Sequence, residues 1–500
     1  MKKNKIIKNI AIVVMILAFV SSSIISKEIG DLDEIWNYNM SNIFAKGLNP
    51  YIDYSTVVTP LLQILAGIIL KIFPNELITM RILAVLLISG IVFLIYKILD
   101  LLKINDSLKI VSIIGIMWLE YNYFCIDYNY FSLFLTLIII LLEIKYLQDE
   151  KGKIKDYKYN LVIGILAGLV LMTKQTIGSF VSSSVVGYMI LLMIIDKFKY
   201  KKDIKIQIKN ILFRILGIAI PVIIFVIYLL ITKSLDEFIN YAILGIKTFS
   251  NKIEYINLLR NDKISIKILS IIVPISFIIN FVIAIAKKDK RLFVISCLAI
   301  SMFIVAFPIS DNIHFLIGST SSFIAIVYNI NNIAKKIIPQ DKKLFIKFFI
   351  EGMSKCMIVL IFIFGIYYNY KKINNVEYYS QLKHYKYIPI SENYEQELKT
   401  IEEYIQKSDK KVYILNFDAA LYMIPLDIYN KDYDMFMKGN FGAKGEQGII
   451  EKIQKEDAKY LIVKDGIGRN WQNPEDVRKY IKENMKYKES ISKFDVFENY

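Results

Sequence analysis

Long apolar runs separated by short charged stretches occupy most of the chain up to residue 369. A helix needs about 20 apolar residues to cross the bilayer, because unpaired backbone amides are costly in hydrocarbon. About eleven runs have this character: 8–25, 77–98, 108–124, 129–147, 160–175, 178–195, 210–232, 265–286, 292–308, 315–333 and 355–369. The pattern predicts a polytopic α-helical membrane protein with about eleven spans, in a multispan domain that covers residues 1–369.

Lysine-rich stretches between these runs predict the topology. They lie at the N-terminus and near 97–109, 145–158, 197–209, 287–291 and 335–347. Positively charged loops stay on the cytoplasmic side. All of these loops lie inside if the apolar segment 57–73 does not cross completely, so we predict that 57–73 is an interfacial helix within a first outer loop, 26–76. The N-terminus is then cytoplasmic and the residues after 369 are outside.

The tail from residue 370 to 500 has shorter apolar runs and evenly mixed charges, as soluble domains do. We predict helices at 391–407, 445–457 and 474–485, which alternate with strands at 411–417, 458–464 and 491–498. Alternation of helices and strands is typical of a layered fold. The tail is therefore predicted to be a small C-terminal extracytoplasmic α/β domain.

Composition and charge narrow the functional classes. The chain is 55% hydrophobic, with a formal net charge of +16 at pH 7. The positive charge does not indicate nucleic-acid binding, because the lysines are concentrated in the short loops that orient a membrane protein. The three cysteines, Cys125, Cys297 and Cys356, are too dispersed to indicate a metal knuckle or a disulfide framework. We expect a multi-pass protein of the cell membrane.

The first outer loop begins with an unusual group of acids, Asp31, Asp33 and Glu34. Carboxylates near the lipid headgroups are costly unless they are paired or used, which makes them functional candidates. The alternative is a solvated loop or a helix N-cap. Asp127 of the second outer loop lies on the same predicted side, so the two loops could share acid and base roles, although Asp127 could equally be a cap.

Cations and a histidine are expected on this same side. Lys174 and Gln175 lie where one span is predicted to end, on the side where a lysine does not set topology. They could contact a lipid phosphate, or Lys174 could reach the interface without a partner. His314 lies in another outer turn, and a lone histidine is more often structural than catalytic.

Several short motifs, taken in order, resemble a known family. They are Asp33-Glu34, the Gly47-x-x-Pro50-Tyr51-x-Asp53-Tyr54 stretch, Pro60-Leu61, Arg81, Asp127 and the Gly-Leu-x-x-x-Thr-Lys-Gln run that ends at Gln175. This layout resembles the GT-C superfamily of polyprenyl-phosphate-dependent glycosyltransferases, in the branch of bacterial protein mannosyltransferases and lipid A aminoarabinose transferases. The resemblance extends to about residue 330, and the tail with its WQNPEDVRKYI segment is also similar.

The resemblance implies transfer of a sugar from a polyprenyl-phosphate donor to an acceptor hydroxyl on an envelope glycan, lipid or protein at the outer face, with inversion. It implies that Asp33 is the base, supported by Glu34 and Asp127. Phosphate contacts would come from Lys174, Gln175 and His314, and the substrate loop would contain Tyr51, Asp53 and Tyr54. The resemblance leaves a divalent metal open, but this sequence gives no positive sign of one.

One departure from the family concerns a phosphate-binding lysine. Relatives often have Lys-Pro-Pro-Leu where this chain has Thr59-Pro60-Leu61. The absence of this lysine gives greater weight to Lys174, Gln175 and His314 as phosphate contacts. Two other classes stay open at this point: a multispan transporter or lipid flippase, and an envelope scaffold whose tail binds partners.

Overall fold

The computed structural model describes residues 2–149, 156–201, 203–248, 252–337, 343–465 and 472–500. The α-helices up to residue 259 are α1 (Lys2–Ile24), α2 (Leu32–Ala45), α3 (Leu61–Ile72), α4 (Leu77–Leu101), α5 (Asp106–Glu120), α6 (Tyr128–Gln148), α7 (Asp156–Thr173), α8 (Gln175–Tyr200), α9 (Lys205–Ile231), α10 (Leu235–Phe238) and α11 (Ile256–Leu259). The later ones are α12 (Ile264–Ala286), α13 (Lys290–Phe303), α14 (Asn312–Ile337), α15 (Lys343–Asn374), α16 (Glu392–Lys407), α17 (Ala419–Met423), α18 (Gly445–Ile453) and α19 (Glu475–Asn484). The strands are β1 (Lys411–Ile414), β2 (Ala458–Val463), β3 (Lys486–Ile491) and β4 (Phe494–Glu498).

Every predicted apolar run overlaps one of these helices, but fewer of the helices qualify as spans. Within the described ranges, eight helices are long and apolar enough to cross a membrane, namely α1, α4, α6, α8, α9, α12, α14 and α15. The predicted count of about eleven is not confirmed. Helices α5 and α13 have only 15 and 14 residues, about 20 Å each, and α7 includes Asp156 and Lys158 in its 18 residues. The chain is a multi-pass membrane protein.

The apolar segment predicted at 57–73 forms the short helix α3. Its 12 residues extend about 18 Å, less than the roughly 30 Å of the hydrocarbon core. Helix α3 packs closely on α2, since a Cβ on Gly67 would lie 2.8 Å from the carbonyl oxygen of Ser41. Its length agrees with a helix that does not cross, while its position at the membrane surface stays a prediction.

The chain divides into two compact units. The first unit comprises Met1–Ile24, Ala84–Phe225 and Ile253–Lys372, and the second comprises Ile25–Leu83, Val226–Lys252 and Ile373–Tyr500. The second unit thus groups the segment predicted as the first outer loop with the C-terminal tail. The division at residue 369 into a multispan domain and an α/β domain remains a prediction.

In the first unit, α7 and α9 cross at glycines. A Cβ on Gly164 would lie 2.2 Å from the carbonyl oxygen of Arg214, and one on Gly217 would lie 2.4 Å from that of Leu161. Small residues let helix backbones approach closely, which is the main source of packing energy between helices in lipid. The Gly164-x-x-x-Gly168 spacing places both α7 glycines on the face that meets α9.

We expect Gly164→Val to destabilise the first unit strongly. The new side chain has to displace a backbone rather than a flexible side chain, so the cost should reach or exceed the roughly 1–3 kcal/mol typical of overpacked cores. Gly187→Val in α8 is the matched control, because a Cβ there meets nothing within 4 Å. The measurement is the midpoint of heat-induced unfolding in detergent, and equal midpoints for the two variants would contradict the close crossing.

The tail of the second unit contains a four-stranded sheet in the order β1-β2-β4-β3. Strands β1 and β2 are parallel, whereas β4 is antiparallel to both β2 and β3. Tyr413 lies at the centre of the core, with its ring centroid 4.2 Å from that of Tyr433 and 5.7 Å from that of Tyr460. The small C-terminal sheet agrees with the predicted α/β fold. Strand β3, which was not predicted from the sequence, is an edge strand of the sheet and pairs with β4.

Candidate active site

The acidic pair of the first outer loop lies in the first turn of α2. Asp31 is the N-cap, since its side chain accepts a hydrogen bond from the backbone N–H of Glu34 at 3.3 Å. Asp31 also pairs with Lys27. The capping alternative therefore applies to Asp31, whereas Asp33 and Glu34 follow it inside the helix. Acidic side chains in the first turn stabilise a helix, because they lie at the positive end of its dipole.

Glu34 forms a buried, two-pronged ion pair with Arg81 of α4. Arg81 donates from Nε to Oε1 at 3.0 Å and from Nη2 to Oε2 at 2.9 Å. The side chains of Arg81 and Glu34 are only 0% and 1% exposed. Arg81 also donates to the carbonyl oxygens of Ile25, Lys27 and Glu28. This guanidinium thus links the segment that follows α1 to the first turn of α2. Both carboxylate oxygens of Glu34 accept hydrogen bonds from it.

Asp33 is placed differently from its neighbour. Its side chain is partly exposed, whereas Glu34 is buried. Its backbone carbonyl accepts a hydrogen bond from Asn37 Nδ2 at 2.8 Å, so the helical turn around it is reinforced. Consecutive positions on a helix point in directions about 100° apart. Of the two acids, Asp33 is the one that an approaching molecule could reach.

The C-terminal tail contacts α2 along the turns that follow Asp33. Trp36 donates from its indole nitrogen to the carbonyl oxygen of Phe417 at 3.1 Å, and Asn39 donates to Asp434 at 3.1 Å. Burial raises the pKa of the Asp434 carboxyl to about 7. The orientation of the acidic turn is therefore coupled to the tail within the second unit.

The predicted substrate-loop residues form a tight turn in this unit. Tyr51 has a positive φ of 69° and donates its hydroxyl to the carbonyl oxygen of Val58 at 2.8 Å. Asp53 accepts from the backbone N–H of Asn49 at 2.6 Å. Burial raises the pKa of both Tyr51 and Tyr54. Both tyrosines are buried, whereas Asp53 is partly exposed.

In the first unit, the structure brings together Asp127, Lys174 and His314, which come from three separate parts of the chain. Asp127 caps α6 and accepts from the backbone N–H of Asn129 at 2.7 Å. Lys174 is the single residue between α7 and α8, and its Nζ donates to Asn129 Oδ1 at 2.8 Å. His314 lies in the first turn of α14, with Nδ1 2.8 Å from Asp311 Oδ1. Gln175 is the first residue of α8.

The electrostatics of this cluster centre on Asp127, which is 1% exposed. Burial raises the pKa of its carboxyl, and the nearby positive charge of Lys174 and then that of His314 act in the opposite direction. Among the described residues, its Oδ2 atom accepts no hydrogen bond. The pKa of Asp127 stays above its ordinary value, because burial outweighs the two nearby cations.

The predicted site residues are divided between the two units. Asp33, Glu34, Tyr51, Asp53 and Tyr54 belong to the second unit, whereas Asp127, Lys174, Gln175 and His314 belong to the first. Sequence reasoning missed Asn129, which contacts both Asp127 and Lys174. Its position two residues after a capping acid was the available signal. Within the described ranges, no group of three or more His, Cys, Asp or Glu residues is placed to hold a metal ion.

Solved structures of two membrane proteins are similar to this chain. One is ArnT from Cupriavidus metallidurans bound to undecaprenyl phosphate, with a TM-score of 0.55 at 9% identity, over 100% of this chain and 99% of that chain. The other is an oligosaccharyltransferase from Archaeoglobus fulgidus tethered with an acceptor peptide, with a TM-score of 0.52 at 12% identity, over 91% of this chain and 68% of that chain. No protein-family model and no curated protein matches the chain. This chain therefore has a fold similar to those of ArnT and the oligosaccharyltransferase.

Proposed function

We propose that this protein transfers a hexosyl or pentosyl group from a polyprenyl-phosphate donor to a hydroxyl acceptor on an envelope glycan, lipid or protein. The reaction would take place at the outer membrane face, with inversion at the anomeric carbon. The observation that supports this most is the fold shared over the whole chain with ArnT, which was crystallised with undecaprenyl phosphate. The alternative of a transporter or flippase is not favoured by these relatives.

In the proposed reaction, Asp33 takes the proton from the acceptor hydroxyl while the acceptor oxygen attacks the anomeric carbon. The bond between that carbon and the phosphate oxygen breaks, and the polyprenyl phosphate leaves as an anion. A positioned base of this kind contributes about 10²–10⁴ in rate. The partial exposure of Asp33 supports its choice as the base, and the commitment of Glu34 to Arg81 supports a positioning role for Glu34.

The cluster of Asp127, Lys174, Gln175 and His314 is the proposed site for the donor phosphate. A lysine supplies a compact positive charge and three N–H donors, and Gln175 supplies amide donors. In this proposal Asp127 does not touch the phosphate. It positions Asn129 by accepting from its backbone N–H, and the side chain of Asn129 in turn accepts from Lys174 Nζ.

The direct test is transfer by purified protein in lipid nanodiscs. The donor is a radiolabelled polyprenyl-phosphate sugar, and the acceptor is the membrane and envelope fraction of a strain that lacks the gene. We expect label to enter the acceptor from the lipid donor and not from a nucleotide sugar. Transfer from the nucleotide sugar alone, or movement of the lipid across the bilayer without a new glycosidic bond, would contradict the proposal.

We expect Lys174→Ala to weaken use of the donor. Loss of one hydrogen bond to a charged group is worth about 1.5–3 kcal/mol, which corresponds to a drop of roughly 10–100-fold in kcat/KM. The effect should appear mainly as a higher KM for the lipid donor, and Lys174→Arg should retain most of the activity.

Lys263→Ala is the matched control for this prediction. Lys263 also lies in the first unit, with its Nζ 5.2 Å from the ring centroid of Tyr123, much as Lys174 Nζ lies 5.0 Å from that of Tyr128. The control variant should keep the donor KM of the unaltered protein. An equal rise in both variants would show a general effect of charge on the binding of an anionic lipid.

A further inference from the structure

A basic rim and an apolar groove meet at one end of the first unit, where α8 and α12 end and α13 begins. The rim borders a cavity of about 680 Å³ whose charged lining residues are Lys103, Lys287, Lys288, Asp289, Lys290 and Arg291. The groove is a second cavity of about 470 Å³, lined by apolar side chains that include Leu191, Ile195, Ile285 and Phe293. The buried Asp196 and the exposed Lys199 also line it. Lys288, Asp289 and Lys290 border both cavities.

The single acid of this rim is already engaged. Asp289 caps α13 by accepting from the backbone N–H groups of Arg291 at 3.1 Å and Leu292 at 3.3 Å. It also accepts from the hydroxyl of Tyr328 at 2.5 Å. Arg291 Nε also lies 3.4 Å from Asp289 Oδ1, so this carboxylate is engaged by the helix terminus, Tyr328 and Arg291 rather than by the neighbouring lysines.

The lysines next to it keep their charge available. In the part of the chain that the structure describes, Lys199, Lys287, Lys288 and Lys290 form no ion pair with an acidic side chain. All four are exposed. A local excess of positive charge attracts an anionic group, and attraction is strongest where low-dielectric walls lie nearby.

The apolar groove distinguishes this place from an ordinary loop that orients a membrane protein. Lysines that only set topology require no particular surface beneath them. Here Leu191, Ile195 and Ile285 remain exposed along the groove. Its volume lies within the roughly 300–1,000 Å³ of ordinary ligand sites. The surface thus combines an apolar wall with a cationic rim, which is complementary to a molecule with an apolar chain and an anionic head.

We propose that this groove binds an anionic glycerophospholipid, with acyl chain along Leu191, Ile195 and Phe293 and phosphate at Lys288 and Lys290. Basic pockets between membrane helices commonly hold anionic headgroups in this way. The site is separate from the proposed transfer chemistry, since none of its residues belongs to the candidate active site. It would make the stability of the first unit depend on the anionic lipid content of the membrane.

The test uses purified, delipidated full-length protein in neutral detergent. Its probes are phosphatidylglycerol, phosphatidylcholine with the same acyl chains, and glycerol phosphate without chains. Native mass spectrometry counts bound lipid, and the midpoint of heat-induced unfolding gives an apparent affinity. We expect one phosphatidylglycerol to be retained with at least tenfold higher apparent affinity than phosphatidylcholine, and no shift with glycerol phosphate.

Three variants make the result specific. Lys288→Gln with Lys290→Gln should lower the phosphatidylglycerol affinity at least tenfold, and Ile195→Trp, which fills the groove, should do the same without removing charge. The control, Lys205→Gln with Lys209→Gln, removes two exposed lysines from α9 and should leave the affinity unchanged. Equal loss in the control, equal binding of phosphatidylcholine, or an equal shift with glycerol phosphate would each overturn the proposal. Should the variant with Lys288→Gln and Lys290→Gln fail to fold, Ile195→Trp alone decides the outcome.

Discussion

Replacing Asp33 by Asn is expected to reduce sugar transfer by roughly 10²–10⁴, the contribution of a positioned general base. The amide has nearly the same size as the carboxylate but cannot take the proton from the acceptor hydroxyl. The first turn of α2 should persist, because its cap is Asp31 and its buried anchor is Glu34. The measurement is the initial rate of transfer from a labelled polyprenyl-phosphate sugar, with the unfolding midpoint recorded in parallel.

Asp31→Asn is the matched control for the base assignment. Asn caps helices about as well as Asp, so this variant removes a carboxylate two residues from Asp33 and keeps the helix start. It should transfer sugar at close to the normal rate. Asp33→Glu should give an intermediate rate, since it keeps a base but moves it by one methylene. Full transfer by Asp33→Asn would exclude Asp33 as the base and leave the fold assignment untouched.

The helices were predictable because apolar length is a local property. Each predicted apolar run overlaps a helix, and α3 occupies Leu61–Ile72 of the 57–73 segment. Strand β3 was not predictable in the same way. Its Lys486–Ile491 sequence is mostly exposed and carries three charged residues, so it lacks the apolar alternation that identifies a half-buried strand. Strand β3 is held by its hydrogen bonds to β4, a contact that its own sequence does not reveal.

The functional candidates were predictable as residue types but not as contacts. The motif order singled out Glu34 and Arg81 separately, yet their pairing joins residues 47 positions apart. The contact between Asn39 and Asp434 spans 395 positions and could not follow from local pattern. Local sequence therefore identified the acidic turn, whereas the groups that fix its orientation depend on the tertiary fold.

The pair of Glu34 and Arg81 should determine whether the acidic turn is held in place. Arg81→Met leaves the Glu34 carboxylate buried without its partner, which typically costs about 3–5 kcal/mol. It also removes the donors that hold the carbonyl oxygens of Ile25 and Lys27. We expect a clear fall in the unfolding midpoint and a loss of transfer, with Arg81→Lys intermediate because an ammonium cannot bind both carboxylate oxygens as a guanidinium does.

A double-mutant cycle separates this positioning role from a chemical one. Glu34→Gln and Arg81→Met should each lower the unfolding midpoint, and the double variant should lose less than the sum of the two, because no buried charge is left unpaired. The double variant should still transfer poorly, since the segment from Ile25 to Glu28 loses the guanidinium that binds three of its carbonyl groups. If Glu34→Gln instead kept the normal unfolding midpoint and abolished transfer, Glu34 would be the reacting acid, and the roles assigned to the two neighbouring carboxylates would have to be exchanged.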